Sequence, residues 1–108
     1  RVVFVEKNRR VFKVLKKNLE LLAEDNWDIF LTDSMQFLTR AKNQYFDIIF
    51  ADPPYTEVSF NSIKNKINNM LKPDGIFCME MKIEPIDEEN VRVKHYGSTQ
   101  VVFWRAAA

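Results

Sequence analysis

Apolar and polar positions along the chain switch repeatedly between short unbroken or alternating runs and helical spacing. Residues 1–5, Arg-Val-Val-Phe-Val, are β-branched and aromatic and stop at Glu6-Lys7-Asn8, which predicts a strand handing over to a helix. From Asn8, a residue type suited to an N-cap, Val11, Phe12, Leu15, Leu19 and Leu22 recur at the spacing of one buried helical stripe. Residues 27–32 predict a second strand, and Asp33-Ser34 opens a second helix carrying Met35, Phe37, Leu38 and Ala41. Residues 46–51, Phe-Asp-Ile-Ile-Phe-Ala, form the most apolar strand candidate, as expected of a strand buried on both faces in a parallel sheet. Beyond Asp52-Pro53-Pro54-Tyr55, helical spacing returns with Phe60, Ile63, Ile67, Met70 and Leu71. Lys72-Pro73-Asp74-Gly75 then predicts a turn that ends this helix before a strand over 76–79. Residues 91–96 and 99–104 flank Gly97-Ser98, a two-residue hairpin signal. The order βαβαβαβ followed by an antiparallel pair selects a doubly wound α/β sheet with a mixed edge.

Composition narrows this little but excludes much. At 108 residues the chain holds one domain's worth of core, and 46% hydrophobic with 29% charged residues is the balance of a globular chain. Sixteen basic against fifteen acidic residues leave a net charge of +1, too little to indicate a polyanionic partner from the total alone. The single cysteine, Cys78, cannot form an intramolecular disulfide, and no apolar run approaches membrane-spanning length. These features predict a reducing, cytoplasmic compartment and no membrane partner. The chain opens on Arg1 without a methionine and directly on a strand, as expected of a piece of something longer. We therefore expect one domain over 1–105 and an unpatterned tail over 106–108.

In open α/β sheets ligands bind beyond the carboxyl ends of the strands. Three acidic residues, Glu6, Asp33 and Asp52, follow three successive strand candidates, so the topology is expected to bring all three to one edge. Glu6 suits the ribose hydroxyls of a nucleotide, and equally a solvated helix start. Asp33, with Gln36 three residues on, reads most simply as a capping box. The segment Asp52-Pro53-Pro54-Tyr55 is more specific: two prolines remove two backbone donors and stiffen the loop, leaving carbonyls free to accept. The Asp52 carboxylate and the Pro53 carbonyl can together orient an exocyclic amine, and Tyr55 offers a face on which a base stacks. A rigid turn bearing an exposed tyrosine is the plain alternative.

Asp-Pro-Pro-Tyr after an apolar strand resembles the catalytic tetrapeptide of S-adenosylmethionine-dependent amino-methyltransferases of nucleic-acid bases. Four further features look, together with it, like the RsmD family: Glu6 at a strand end, Lys17-Asn18-Leu19 in the next helix, Asp33-Ser34 before Met-Gln-Phe-Leu, and Tyr96-Gly97-Ser98-Thr99 followed by Phe103-Trp104. That family methylates guanine N2 in small-subunit ribosomal RNA, and the resemblance runs from Arg1 to Arg105. It implies a Rossmann-like class I methyltransferase sheet with a C-terminal antiparallel hairpin and S-adenosylmethionine as cofactor. It further implies Glu6 on the cofactor ribose, Asp33 with Ser34 at its adenine, Asp52 and Pro53 on the target amine, and Tyr55 stacked on the base. The family's first strand and Gly-rich loop are expected before Arg1, since the chain has only Gly75 and Gly97. In the family's sheet order, 3-2-1-4-5-7-6, the missing strand is central, so the first and third strands here are expected to face an unfilled slot and the chain to associate through them. A DNA adenine or cytosine amino-methyltransferase and an inactive Rossmann-like binding fragment are the rival readings.

The remaining chemistry is sparse. Cys78 reads as a core thiol, and His95, the only histidine, excludes a multi-histidine metal site. The face of Arg9, Arg10, Lys13, Lys16 and Lys17 could meet phosphates, but its pattern favours an ordinary solvated surface.

Overall fold

The computed structural model describes residues 1–40, 46–53 and 59–107. They divide into two compact units, Arg1–Lys42 and Asn43–Ala108.

In the first unit, β1 (Val2–Glu6) and β2 (Trp27–Leu31) form a parallel pair in the register Val2 to Trp27 through Glu6 to Leu31. Between them runs α1 (Arg9–Glu20), which packs on both strands and buries Leu19, with Phe12 and Leu15 half-buried. Its start is fixed by Asn8, whose Oδ1 accepts from the Val11 N–H at 3.1 Å. The apolar stripe that extends in sequence to Leu22 outlasts the helix. The Leu21 N–H donates to the Asn18 carbonyl and the Leu22 N–H to that of Leu19, which closes the helix, and Leu21 and Leu22 are left exposed, as is Val11 at the start of the expected stripe. The short helix α2 (Ser34–Arg40) lies against β1, and its Phe37 ring meets Phe30 of β2 at a centroid distance of 5.4 Å.

The second unit is a four-stranded sheet in the order β3-β4-β6-β5, formed by β3 (Phe46–Ala51), β4 (Leu71–Lys82), β5 (Val91–Tyr96) and β6 (Thr99–Arg105). β3 pairs parallel with β4, and the other two pairings are antiparallel. Gly97, at φ 59°, takes the first position of the β5–β6 turn, the left-handed conformation that a Gly-first hairpin turn requires. The helix α3 (Phe60–Ile67) and a following 3₁₀ turn (Asn68–Met70) supply Phe60, Ile63, Ile67 and Met70 to the core. These meet the Phe77, Met79 and Met81 face of β4, with Phe60 stacked on Phe77 at 5.6 Å. That face is the core of the unit.

The opposite face is open, which corrects the expectation that β3 is buried on both sides. Ile48 and Phe50 are 65% and 62% exposed. They sit opposite Ile76 and Cys78 in register, on the side of β4 that α3 does not cover. Among the described residues β1 pairs with β2 alone, and β3 with β4 alone.

Lys72-Pro73-Asp74-Gly75 departs from prediction in another way. The helix has already ended at Met70, and the tetrapeptide lies inside β4 as an irregularity, where Phe46 pairs with Leu71 but Ile48 with Ile76. Asp74 takes φ 64° there, and Gly75 is buried. A Cβ on Gly75 would stand 2.8 Å from the Lys72 carbonyl oxygen and 3.2 Å from that of Asp47. Backbone cannot yield to it cheaply, so Gly75→Ala is expected to lower stability by ~1–3 kcal/mol, read as a fall in the urea midpoint. The unpatterned tail is also tied to this bulge: the Ala106 N–H donates to the Gly75 carbonyl at 2.9 Å and the Asp74 N–H to that of Ala107 at 3.2 Å.

Candidate functional site

Glu6 is the last residue of β1 and Asp33 follows β2 by two positions, so the parallel register puts both at the carboxyl edge of the first unit. Glu6 is half-buried, and its Oε1 accepts from the Asn8 N–H at 3.0 Å. Asp33 Oδ1 accepts from the amides of Met35 at 2.8 Å and Gln36 at 3.4 Å. The aspartate half of the expected capping box is therefore present. No hydrogen bond from the Gln36 side chain back to Asp33 accompanies it among the described residues. Ser34 is exposed as the first residue of α2.

Both carboxylates thus do local structural work through one oxygen. The second oxygen of each, Glu6 Oε2 and Asp33 Oδ2, accepts no hydrogen bond among the described residues. Two acceptors at one sheet edge match the donors of a nucleoside, ribose hydroxyls and an amino group. The structural and the ligand-binding readings of these residues are compatible.

Asp52 and Pro53 follow β3, whose last residue, Ala51, pairs with Met79 of the parallel neighbour β4. They stand at the carboxyl edge of the second unit's parallel pair. Asp52 is exposed and Pro53 half-buried, and no hydrogen bond or ion pair engages the Asp52 carboxylate among the described residues. An acceptor with no structural duty sits at the strand end where ligand chemistry is expected. Pro54 and Tyr55 lie outside the described residues.

Other polar features are structural. Lys64 of α3 is ion-paired with Glu88, and its Nζ stands 5.2 Å from the centre of the Trp104 ring. Gln100, almost fully buried, donates from Nε2 to the Glu84 carbonyl at 2.9 Å. Sequence reading missed both, because each joins segments with no periodic relation to one another. Cys78 is half-buried and burial pushes its thiol pKa up, which holds it protonated and unreactive. His95 is exposed on β5. A concavity of 420 Å³ on β4, β5 and β6, bordered by Arg92, Phe103 and Arg105, includes none of the candidate residues. Among the described residues no helix is long and apolar enough to cross a membrane.

Ribosomal RNA small subunit methyltransferase D of Haemophilus influenzae is 33% identical over 115 residues, covering 97% of this chain and 58% of the relative. The chain therefore spans little more than half the length of that relative. The structure of yhhF from Escherichia coli superposes with a TM-score of 0.79 at 26% identity, covering 98% of this chain and 63% of that one. Human methyltransferase-like protein 13, solved with SAH, shares the fold at 13% identity with a TM-score of 0.70, covering 96% of this chain and 60% of its own. The parallel pair β1-β2 of the first unit and the sheet β3-β4-β6-β5 of the second are each part of a mixed α/β fold shared with class I methyltransferases. The model of the family described as Conserved hypothetical protein 95 matches residues 1–105, and the chain belongs to that family, the RsmD family.

Proposed function

We propose that the protein containing this chain transfers a methyl group from S-adenosylmethionine to the exocyclic N2 amine of a guanine in small-subunit ribosomal RNA. The observation that carries this reading is the exposed, unengaged Asp52 carboxylate, followed by Pro53, at the carboxyl end of a parallel strand. The resemblance to the RsmD family implies amine-holding acceptors at that position. The name of the Haemophilus relative, a ribosomal RNA small subunit methyltransferase, supplies the RNA class. A ribosomal substrate sets the reaction in the cytoplasm.

The cofactor, when bound, supplies an electrophilic methyl on a sulfonium. Glu6 and Asp33 fit its nucleoside, each through the oxygen that local structure leaves open, with Ser34 beside the adenine. A guanine amine is a weak nucleophile because its lone pair is delocalised into the ring. The Asp52 carboxylate and the Pro53 carbonyl would accept its two N–H groups, hold the nitrogen at one orientation and stabilise the positive charge that grows on it as the new bond forms, until one of those N–H protons is lost to water and the amine is neutral again. Tyr55 stacks on the base. A base in a helix must leave its stack to reach such a loop, and an aromatic face compensates part of that cost.

Full-length protein incubated with methyl-labelled S-adenosylmethionine and unmodified small-subunit RNA should yield N2-methylguanosine after nuclease digestion. Label on adenine, or on DNA alone, overturns the assignment. Glu6→Ala should weaken S-adenosylmethionine binding by ~1.5–3 kcal/mol, roughly ten- to a hundredfold in Kd by calorimetry. Unchanged affinity would return Glu6 to its helix-start role alone.

A further inference from the structure

The solvent face of α1 carries more positive charge than its structural role explains. Residues 7–17 hold six of the sixteen basic residues and no acidic one, so a chain of net charge +1 concentrates +6 in one segment. At 3.6 residues per turn, Arg9, Arg10, Lys13, Lys16 and Lys17 fall within about a third of the helix circumference and span roughly 12 Å of its length. All five are exposed. The ion pairs among the described residues use Arg1, Lys64 and Lys72, and none uses a cation of this face.

A face shaped only for solubility and helix stability would be built differently. It would interleave glutamates four residues ahead of lysines and put acids in the first turn. Here α1 has no acidic residue in its first turn. Arg9 and Arg10 stand at the positive end of the helix dipole, and Arg9 with Lys13, and Lys13 with Lys17, are like charges one turn apart. The one acid that follows, Glu20, comes after Lys16, the weaker order of pairing. Lys17, in the last turn, suits the helix dipole, but the first-turn arginines and the like-charge pairs oppose this arrangement, and a polyanion laid along the face reverses the sign of those terms. The first turn also begins three residues after Glu6, so the stripe starts at the carboxyl edge that holds the nucleoside acceptors.

We infer that this face, Arg9, Arg10, Lys13, Lys16 and Lys17, docks the phosphate backbone of the RNA substrate and leads it to that edge. The inference rests on the RNA-methyltransferase reading above and adds to it a surface. An anionic membrane is disfavoured as the occupant. The helix turns Phe12, Leu15 and Leu19 inward on a face that packs against β1 and β2, and of its apolar residues leaves only Val11 and Val14 exposed, short side chains without the large apolar face that membrane insertion needs.

The test is the salt dependence of RNA binding by the full-length protein, wild type against Lys13→Gln/Lys16→Gln/Lys17→Gln and against Arg9→Gln/Arg10→Gln. Each lost phosphate contact removes about 0.7–0.9 from the slope of log K against log salt, so the triple variant should lose about two units of slope and the double variant more than one. The Lys13→Arg/Lys16→Arg/Lys17→Arg protein should retain the wild-type slope. S-adenosylmethionine affinity should be unchanged, and the thermal midpoint equal or raised, because repulsion has been relieved. Wild-type slopes in both glutamine variants, or loss of binding to phosphatidylserine vesicles with RNA binding intact, would overturn the docking surface. If the wild type methylates RNA while these slopes stay unchanged, the surface fails and the activity stands. If RNA binds through these residues but no methyl is transferred, the surface stands and the activity reading fails.

Discussion

Asp52→Ala in the full-length protein is expected to lower the methylation rate by several orders of magnitude while leaving S-adenosylmethionine affinity close to wild type. Orienting one reactant against another can supply up to ~7–11 kcal/mol of barrier reduction, and removing a single preorganised partner of a developing charge typically costs a hundred- to a thousandfold. Asp52 is exposed and engages no described partner. Its loss should therefore shift the thermal midpoint little, within about 0.5 kcal/mol, and the activity loss cannot be assigned to unfolding. Asp52→Asn keeps one acceptor oxygen but turns an N–H donor toward the amine, so it should fall between alanine and wild type at best. Pro53→Ala keeps the carbonyl but frees φ and adds a backbone donor, and a smaller loss is expected. Near-normal turnover in the alanine variant, with cofactor binding intact, would remove Asp52 from the reaction.

How far such residues can be read from the chain depends on what positions them. Glu6, Asp33 and Asp52 were legible because a parallel α/β topology sends every residue that follows a strand to one kind of edge, so finding the strands found the acids. The sequence could not show that Glu6 and Asp33 each commit one oxygen to a neighbouring amide, at 3.0 Å and 2.8 Å, and keep the other. That division depends on side-chain geometry, not on spacing. Lys72-Pro73-Asp74-Gly75 misled for a physical reason: a proline, an aspartate and a glycine carry the chemistry of a turn, and here they make an irregularity inside β4 with Asp74 at φ 64°. The end of α1 misled similarly, since Leu21 and Leu22 keep the apolar character of the stripe after the backbone has left the helix. The charge on α1 and its start after Asn8 were both visible, but the exposure of all five cations, with no described ion-pair partner, needed the structure. Only with Arg9 and Arg10 in the first turn does the stripe become unfavourable to the helix that carries it.

The 108-residue chain by itself should exchange its amides in an order set by strand neighbours, not by hydrophobicity. β4 is paired on both sides, by β3 and β6, and its Phe77 and Met79 are essentially fully buried. Among the described residues β3 is as apolar but is paired on one side, by β4, and β1 is paired by β2 alone. Roughly half the backbone groups of a strand point to each side, so β1 and β3 each leave about half of theirs to water or to another chain. Ile48 and Phe50 add an exposed apolar surface to the same strand, on the face that α3 leaves uncovered. Such an edge pairs readily with a copy of itself, and the expected result is association that grows with protein concentration, together with fast exchange at Val2–Glu6 and Phe46–Ala51 and slow exchange across Phe77 to Met81. Sedimentation and hydrogen-exchange mass spectrometry read the two effects separately. A lysine at position 48, Ile48→Lys, should suppress association by placing charge on that edge strand while leaving the buried face of β4 untouched. A chain that stays monomeric at every concentration, with β1 and β3 protected as well as β4, would show that these edges are already satisfied.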